Sequence, residues 1–328
     1  MTDRERFESV AAAVDADLAR LGGRLPLAAA ADRELFLEEI HRSTAVAGSR
    51  LGPDEVRALV ERDVVAAGRS LAENVLVADY GEAARVVRRA APSRRRAFLA
   101  LDEIATLHAT AVRRAAGARP GRWRESTVHA FPSGMVPPPA WLVPREIAAY
   151  AERLGPGPPP GTPAVQWVAA AHARFLRIHP FDAANGRVAR LIANLLLRRC
   201  GLPPFVVRRR DESRYLGALR RADSRDPWPL ALVVATSVLE SLGTLLAAPG
   251  IAHDPAGDDT LGPLAAFASG AERAALYKAA QRGRLRVVSR GGALLTTRAW
   301  IDAYRARRRP LASELPGDGD DPRDARPL

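Results

Sequence analysis

The sequence predicts an all-α fold, a helical bundle followed by a small basic module, and three observations lead to this prediction. From residue 4 to residue 116, apolar side chains return at spacings of three and four, as on one face of a helix. Alternating β-branched residues, which are typical of strands, are scarce outside 126–136 and 287–297. Two stretches rich in proline and glycine, 155–163 and 249–263, break the helical pattern and predict loops.

The composition limits the class of protein. The chain has 328 residues, of which 47% are hydrophobic and 26% charged, which is typical of a globular protein with a sizeable core. A single cysteine, Cys200, excludes a disulfide framework and a cysteine-rich zinc site. The longest nearly uncharged stretch, Pro227–Leu239, is shorter than the roughly 20 residues that a membrane helix needs. With no signal-peptide pattern at its start, we expect a cytoplasmic protein without membrane contacts.

The net charge of +12 is concentrated near the C-terminal end. Residues 271–309 hold eleven basic side chains and only two acidic ones. Elsewhere arginine is abundant throughout, and Lys278 is the only lysine of the chain, so the arginine content there reflects overall composition. A nucleic-acid partner is therefore an expectation for the last folded block and not for the whole chain.

These breaks divide the chain into successive parts. We predict an N-terminal helical region, a main helical core, a linker, a basic module and a disordered tail, with bounds 1–110, 111–248, 249–263, 264–309 and 310–328.

Two amphipathic helices in the main core flank a short polar loop. Residues 164–178 place Val165, Val168 and Phe175 on one stripe, and an apolar stripe from Val188 onward predicts the next helix. His172 lies on the first stripe, and His108 lies on that of an earlier helix, so we expect both to be packed core residues.

The loop between these helices, HPFDAANGRVAR from His179 to Arg190, has the parts of a phosphate site. The N-terminus of a helix offers unpaired N–H groups, and small residues there let the backbone approach an anion. Arg187 and Arg190, one turn apart, are suited to bind phosphate oxygens. We expect His179, fixed by Pro180 and by burial of Phe181, to take a proton from an incoming hydroxyl group.

This loop resembles the signature of the Fic family, H-x-F-x-(D/E)-G-N-(G/K)-R-x-x-R. The resemblance extends to RPGRWRES at 119–126 and MVPPPAWLVP at 135–144, and covers roughly residues 31–245. It implies an α-helical fold with a short β-hairpin flap. It also implies transfer of AMP from ATP to a protein hydroxyl group, with Mg²⁺ as the metal.

The resemblance assigns roles position by position. His179 matches the general base and Phe181 the buried anchor. The residues matching the phosphate-binding positions are Ala184, Asn185, Gly186, Arg187 and Arg190. Gly186, where the Doc phosphotransferase branch has lysine, favours nucleotidyl transfer, whereas Ala184 in place of the usual glycine matches the Doc branch. The residues matching the flap that docks a target segment by strand addition are Ser126, Thr127, Val128 and His129.

Two positions depart from the family pattern. Ala183 stands where the family has the acid that holds Mg²⁺, so Asp182, the only acid in the loop, becomes the candidate metal ligand. The segment 40–56 resembles the family's inhibitory helix, with Ser43 in place but Ala47 where the inhibitory glutamate belongs. Without that carboxylate we expect Arg190 to be free for ATP.

Residues 264–308 predict a helix, a turn, a helix, an extended pair turning at Gly291-Gly292 and a last helix. This layout resembles a winged helix-turn-helix of the excisionase or MerR type, with 272–281 as its recognition helix. The residues expected to contact DNA are Lys278, Arg282, Arg284, Arg286 and Arg290.

Two hypotheses follow. The first is an adenylyltransferase of the Fic type without its usual inhibitory glutamate, using ATP and directed to DNA or to a partner by its basic module. The second is a catalytically silent protein of the same fold that binds a nucleotide or DNA and transfers nothing.

Overall fold

The computed structural model describes residues 1–20, 29–90, 98–128, 136–247, 262–290 and 293–306. The chain forms two compact units, Met1–Ile251 and Ala252–Leu328. The division falls within the predicted linker. The N-terminal region and the main core, which the sequence separates at residue 110, share one hydrophobic core in the first unit.

The first unit is built from helices, which confirms the predicted all-α class. Their bounds are α1 Asp3–Arg20, α2 Ala29–Val46, α3 Pro53–Arg62, α4 Leu71–Ala90, α5 Leu101–Ala111, α6 Val143–Leu154, α7 Ala164–Ile178, α8 Asn185–Arg199, α9 Glu212–Asp223 and α10 Trp228–Leu246.

Helices α8 and α10 occupy the centre of this unit. Every residue of α8 from Val188 to Leu197 is buried, because apolar side chains occupy almost every face of the helix. Helix α10 packs against α1, α7 and α9. Among the described helices only α10 is long and apolar enough to cross a membrane, but 78% of its apolar window is buried inside the unit. Its hydrophobicity is thus that of a core helix.

The pair α7 and α8 carries the loop singled out in the sequence. Helix α7 begins after the predicted proline-rich loop, with Pro163 preceding its first residue. It ends at Ile178 because His179 adopts a left-handed backbone conformation and Pro180 follows. Helix α8 begins at Asn185, directly after Ala184, which is also left-handed. Six residues therefore reverse the chain between two buried helices.

The predicted flap falls largely on residues outside the described part of the chain. Ser126, Thr127 and Val128 are described and form no regular strand, and residues 129–135 lie outside the description. The segment resembling an inhibitory helix is not one helix either. It comprises the end of α2, a turn at Ala47-Gly48 and the start of α3, whose first residue is Pro53.

The second unit contains a three-stranded antiparallel sheet and two helices. Its elements are β1 Gly262–Pro263, α11 Gly270–Gln281, β2 Val288–Arg290, β3 Ala293–Thr296 and α12 Arg298–Ala306, with strand order β1-β3-β2. The first helix expected here is a single 3₁₀ turn, Leu264–Ala266. A small core of Leu264, Leu276 and Ile301 holds α11 and α12 on the sheet. The predicted turn at 291–292 lies outside the described residues, and the winged helix-turn-helix assignment stays a prediction.

Candidate functional site

His179 is held in a defined orientation at the end of α7. Its backbone φ is 49°, its N–H donates to the Phe175 carbonyl oxygen at 3.0 Å, and its ring Nδ1 lies 3.1 Å from the Leu176 carbonyl oxygen. Because a carbonyl oxygen only accepts, this bond requires the proton on Nδ1 and leaves Nε2 as the basic nitrogen.

The electrostatic surroundings of His179 favour its neutral form. Partial burial lowers the pKa of His179, the hydrogen bond with Leu176 raises it, and the charge of Arg124 lowers it again. The net direction is downward. At neutral pH the imidazole is therefore available as a proton acceptor, although its role as the general base remains a prediction.

Phe181 anchors the loop, as predicted. Its ring is fully buried and stacks on His108, with ring centroids 3.6 Å apart and planes within 5°. Asn185 also fixes it, since the side-chain oxygen accepts from the Phe181 N–H at 3.0 Å and its Nδ2 donates to the Phe181 carbonyl at 2.8 Å. Both ends of the Asn185 amide thus bond the backbone of the loop, and its predicted use in phosphate binding stays a prediction.

His108 and His172 are packed core residues, as expected. The Nδ1 of His108 accepts from the Gly121 N–H at 3.0 Å. The ring nitrogens of His172 lie 3.1 Å from the Ala189 carbonyl and 2.9 Å from the Tyr215 hydroxyl. Burial lowers the pKa of each imidazole to about 4, so both are neutral at physiological pH.

The N-terminus of α8 is the part of the loop suited to an anion. Residues 185–187 form its first turn, and the N–H groups of a first turn have no partner within their helix. Val188 makes the first helical bond, to the Ala184 carbonyl at 3.0 Å. A Cβ at Gly186 would meet only the Arg190 guanidinium, at 3.5 Å, so this glycine leaves open space beside the turn.

Arg190 is not free, and the expectation that the missing glutamate frees it is wrong. Its Nε donates to the Ser43 hydroxyl at 2.6 Å and a terminal nitrogen donates to the Ser43 carbonyl at 2.8 Å. The side chain is buried, with 4% of the residue exposed. Ala47 lies exposed beyond the end of α2, and Ser43, one turn before it, makes the contact with Arg190.

Arg187 and Arg190 both lie near the start of α8, close enough for their charges to interact. One terminal nitrogen donates to the Ala111 carbonyl at 3.1 Å. Burial and the neighbouring Arg190 lower the pKa of Arg187, and Asp79 raises it. Two guanidinium groups close together form an environment that attracts an anion, although Asp79 offsets part of the charge of Arg187.

The described loop residues do not fit a dedicated magnesium site. Ala183 offers no side-chain oxygen, and both oxygens of Asp182 already accept hydrogen bonds, from Arg119 at 3.0 Å and from the Ser126 hydroxyl at 3.2 Å. Within the described ranges no group of three or more His, Cys, Asp or Glu side chains gathers as metal ligands would. Through these bonds Asp182 links the loop to the segment before the predicted flap, and its role as a metal ligand stays a prediction.

Arg124 is a site residue that the sequence reasoning missed. It is 2% exposed, and its Nε donates to the His179 carbonyl at 2.7 Å. Its terminal nitrogens donate to Ser126 and Pro138, which lie on either side of the predicted flap. The available signal was its place inside RPGRWRES, but only the tertiary structure reveals that this arginine is buried.

The basic residues of the second unit divide into two groups. Lys278, Arg282 and Arg284 are exposed at the end of α11 and in the turn after it. Arg286 lies over the Trp300 ring at 3.9 Å, and burial lowers its pKa to about 10. Arg286 is thus engaged in packing, and the side chain of Arg290 lies outside the description.

Comparison with known proteins identifies the loop and its surroundings. Residues 98–197 match the model of the Fic/DOC family. The chain is 28% identical over 249 residues to a protein adenylyltransferase Fic of Nematostella vectensis, covering 76% of this chain and 57% of that protein. It is 25% identical over 234 residues to the adenylyltransferase fic-1 of Caenorhabditis elegans, covering 70% of this chain and 46% of that protein. The chain therefore spans about half the length of these curated relatives.

Solved structures agree on the fold. A structure of Fic-1 from C. elegans, residues 134 to 508, superimposes with a TM-score of 0.64 at 24% identity, covering 74% of this chain and 72% of that one. A Fic family protein from Desulfovibrio desulfuricans G20 superimposes with a TM-score of 0.59 at 18% identity, covering 88% of this chain and 95% of that one.

Proposed function

We propose, because residues 98–197 match the model of the Fic/DOC family, that this protein is an adenylyltransferase that moves AMP from ATP to a hydroxyl group of a protein. The observation that carries the proposal is the state of His179. Its Nδ1 bonds the Leu176 carbonyl oxygen, which leaves Nε2 unprotonated. His179 belongs to the loop that leads into α8, whose first turns carry Arg187 and Arg190.

The proposed reaction is a single displacement at phosphorus. Nε2 of His179 accepts the proton of the target hydroxyl, whose oxygen forms a bond to the α-phosphorus of ATP. The bond between that phosphorus and the bridging oxygen breaks, and pyrophosphate leaves with the electron pair. The first turn of α8 and Arg187 stabilise the negative charge on the phosphates.

Arg190 has a conditional part in this reaction. It contacts the distal phosphates only after its two hydrogen bonds to Ser43 break. The hydrogen bonds between Arg190 and Ser43 thus compete with nucleotide binding, although Ala47 provides no inhibitory carboxylate. No step is assigned to Mg²⁺, because the described loop residues do not fit a dedicated site for it.

Incubation of the full chain with α-labelled ATP and candidate proteins tests the proposal. Wild type, His179→Ala, His108→Ala and Ala183→Asp are compared, each with magnesium and with a chelator. We expect wild type to label protein and His179→Ala to label none, because His179 is the described loop residue with a basic nitrogen. His108→Ala shows how far a loss of loop packing alone reduces labelling, because it removes the ring that stacks on Phe181, and we expect a smaller loss than in His179→Ala.

Two results would count against the proposal. Labelling by His179→Ala at the wild-type rate would show that His179 is not the general base. Labelling by Ala183→Asp alone would mean that the natural chain is a silent protein of this fold, which was the second hypothesis from the sequence.

The exposed basic end of α11 supports a second proposed function, which is DNA binding by the second unit. Lys278, Arg282 and Arg284 are all exposed and close in sequence, and the adjacent strands form an antiparallel sheet, as in the wing of a winged helix. Such side chains bind the phosphates of a duplex by electrostatic attraction.

Salt dependence tests DNA binding. The dissociation constant of the full chain for a DNA duplex is measured between low and physiological salt. Replacing Arg282 and Arg284 with Gln should reduce the slope of log K against log salt by about 2. The control replaces Arg153 and Arg209, which are exposed arginines of the first unit, with Gln. It should leave the slope of log K against log salt unchanged. Binding that does not respond to salt would contradict this proposal.

A further inference from the structure

Arg124 is a buried cation whose described side-chain partners are all backbone carbonyl oxygens. Its guanidinium donates to His179 at 2.7 Å, to Ser126 at 2.9 Å, to Pro138 at 2.5 Å and to Ile178 at 3.5 Å. A buried charge is costly unless hydrogen bonds satisfy it. The planar guanidinium, with five donors in fixed directions, suits such a ring of acceptors, and a lysine nitrogen does not.

Arg124 therefore donates hydrogen bonds to three consecutive carbonyl oxygens at the end of α7. Its side chain bonds the carbonyl oxygens of Ile178 and His179, and its backbone N–H donates to the carbonyl oxygen of Pro180 at 2.9 Å. These are the residues at which the helix ends and the chain turns into the loop. No other side chain of the described residues bonds more than one of these carbonyls.

The backbone at His179 needs such support. A φ of 49° in a residue with a Cβ costs about 1–2 kcal/mol, so surrounding contacts must stabilise it. This conformation places the ring within 3.1 Å of the Leu176 carbonyl, one turn back in α7. If the backbone relaxes, the bond from Nδ1 is lost and the ring is no longer limited to one tautomer.

We propose that Arg124 is a positioning residue that fixes the backbone at 178–180 and so keeps the His179 ring in the tautomer with Nε2 free. The same guanidinium bonds the carbonyl oxygens of Ser126 and Pro138. One side chain therefore positions His179 and also holds the two residues that flank the segment 127–137. The catalytic consequence rests on the proposed function, whereas the tautomer is a property of the free protein.

Nitrogen-15 spectroscopy of the histidine rings at pH 7.5, on the full chain, measures the tautomer directly. Wild type, Arg124→Gln, Arg124→Lys and Arg122→Gln are compared, and the His179 signals are assigned by their absence in His179→Gln. Arg122 is exposed and two residues from Arg124, which makes Arg122→Gln a matched control for loss of one arginine. Circular dichroism and thermal unfolding establish that each variant is folded.

The expected result is a single Nδ1–H tautomer of His179 in wild type and Arg122→Gln, and a mixture in both Arg124 variants. If Arg124→Gln does not fold, Arg124→Lys, which keeps the charge, decides. In the labelling assay we expect kcat to fall on the order of 100-fold with KM for ATP little changed, because the base is misplaced and the phosphate site is not.

The two proposals fail separately. A folded Arg124 variant that keeps the Nδ1–H tautomer overturns the positioning role, whatever the activity. A wild-type chain that labels no protein overturns the proposed function, and the tautomer measurement still decides the role of Arg124.

Discussion

Single residues in the loop are placed in conformations that their side chains disfavour. Ala184 and His179 both have positive φ, 63° and 49°, although neither is glycine. Each marks a junction, since His179 ends α7 and Ala184 precedes the first residue of α8. The loop is therefore strained at both ends, and contacts from elsewhere in the molecule maintain it.

Ala184→Gly should stabilise the protein. Glycine adopts the left-handed conformation without a Cβ penalty, so the free energy of unfolding should rise by about 1 kcal/mol. Urea unfolding measures the change. Ala183→Gly, at a neighbouring exposed residue without positive φ, is the control and should not stabilise. An equal gain in both variants would contradict the strain at Ala184.

Acidification should destabilise the protein through its buried histidines. The folded-state pKa of His172 is about 4, against an ordinary value of 6.5. Its contribution to stability is therefore complete above about pH 6.5 and is lost as the pH falls towards 4. Between pH 6.5 and 5 the free energy of unfolding should fall by about 1.5 kcal/mol more in wild type than in His172→Gln. Urea unfolding at the two pH values measures this, and equal slopes would contradict it.

At the scale of elements, a contact between α2 and α8 decides the state of Arg190. Ser43 on α2 and Arg190 on α8 are 147 residues apart in sequence, yet the serine supplies two acceptors to the arginine, and the Tyr215 hydroxyl also bonds it. The resemblance of this segment to an inhibitory helix without its glutamate led us to expect a free Arg190. That expectation was wrong, because neutral acceptors from Ser43 and Tyr215 bond the buried guanidinium in place of a carboxylate.

Ser43→Ala should strengthen ATP binding. The substitution removes one of two hydrogen bonds that compete with phosphate for Arg190, a loss of about 1 kcal/mol, so the Kd for ATP should fall about fivefold. Isothermal titration calorimetry on the full chain measures it. Ser49→Ala is the control, because that buried serine bonds the Leu51 N–H and not Arg190. Unchanged or weaker ATP binding in Ser43→Ala would mean that Ser43 does not compete with the nucleotide.

At the scale of the whole molecule, two hydrophobic cores are built from separate parts of the chain. The larger is formed by residues from Phe7 to Leu242 and the smaller by residues from Leu264 to Ile301. No buried residue is shared between them. Each core can therefore be tested without the other.

Removal of residues 252–328 should leave the first core folded. We expect its thermal midpoint to change by less than about 3 °C, which corresponds to about 1 kcal/mol for a domain of this size. Differential scanning calorimetry compares the full chain with the truncated one. A truncated chain that unfolds far below the first transition of the full chain would contradict this prediction.

The sequence by itself determined the helical class and the position of the loop. The apolar stripes of α7 and α8 and the breakers around them are local patterns, and a helix responds to residues three and four apart. The contacts of Asn185 with Phe181 could not be read from the sequence, because an amide suits either a phosphate or a neighbouring backbone and only its surroundings decide. Only the tertiary structure decided that Arg190 donates hydrogen bonds to Ser43 and that Arg124 donates one to the His179 carbonyl oxygen. Those contacts join residues far apart in the chain, and burial, which gives them their strength, arises only when the helices pack.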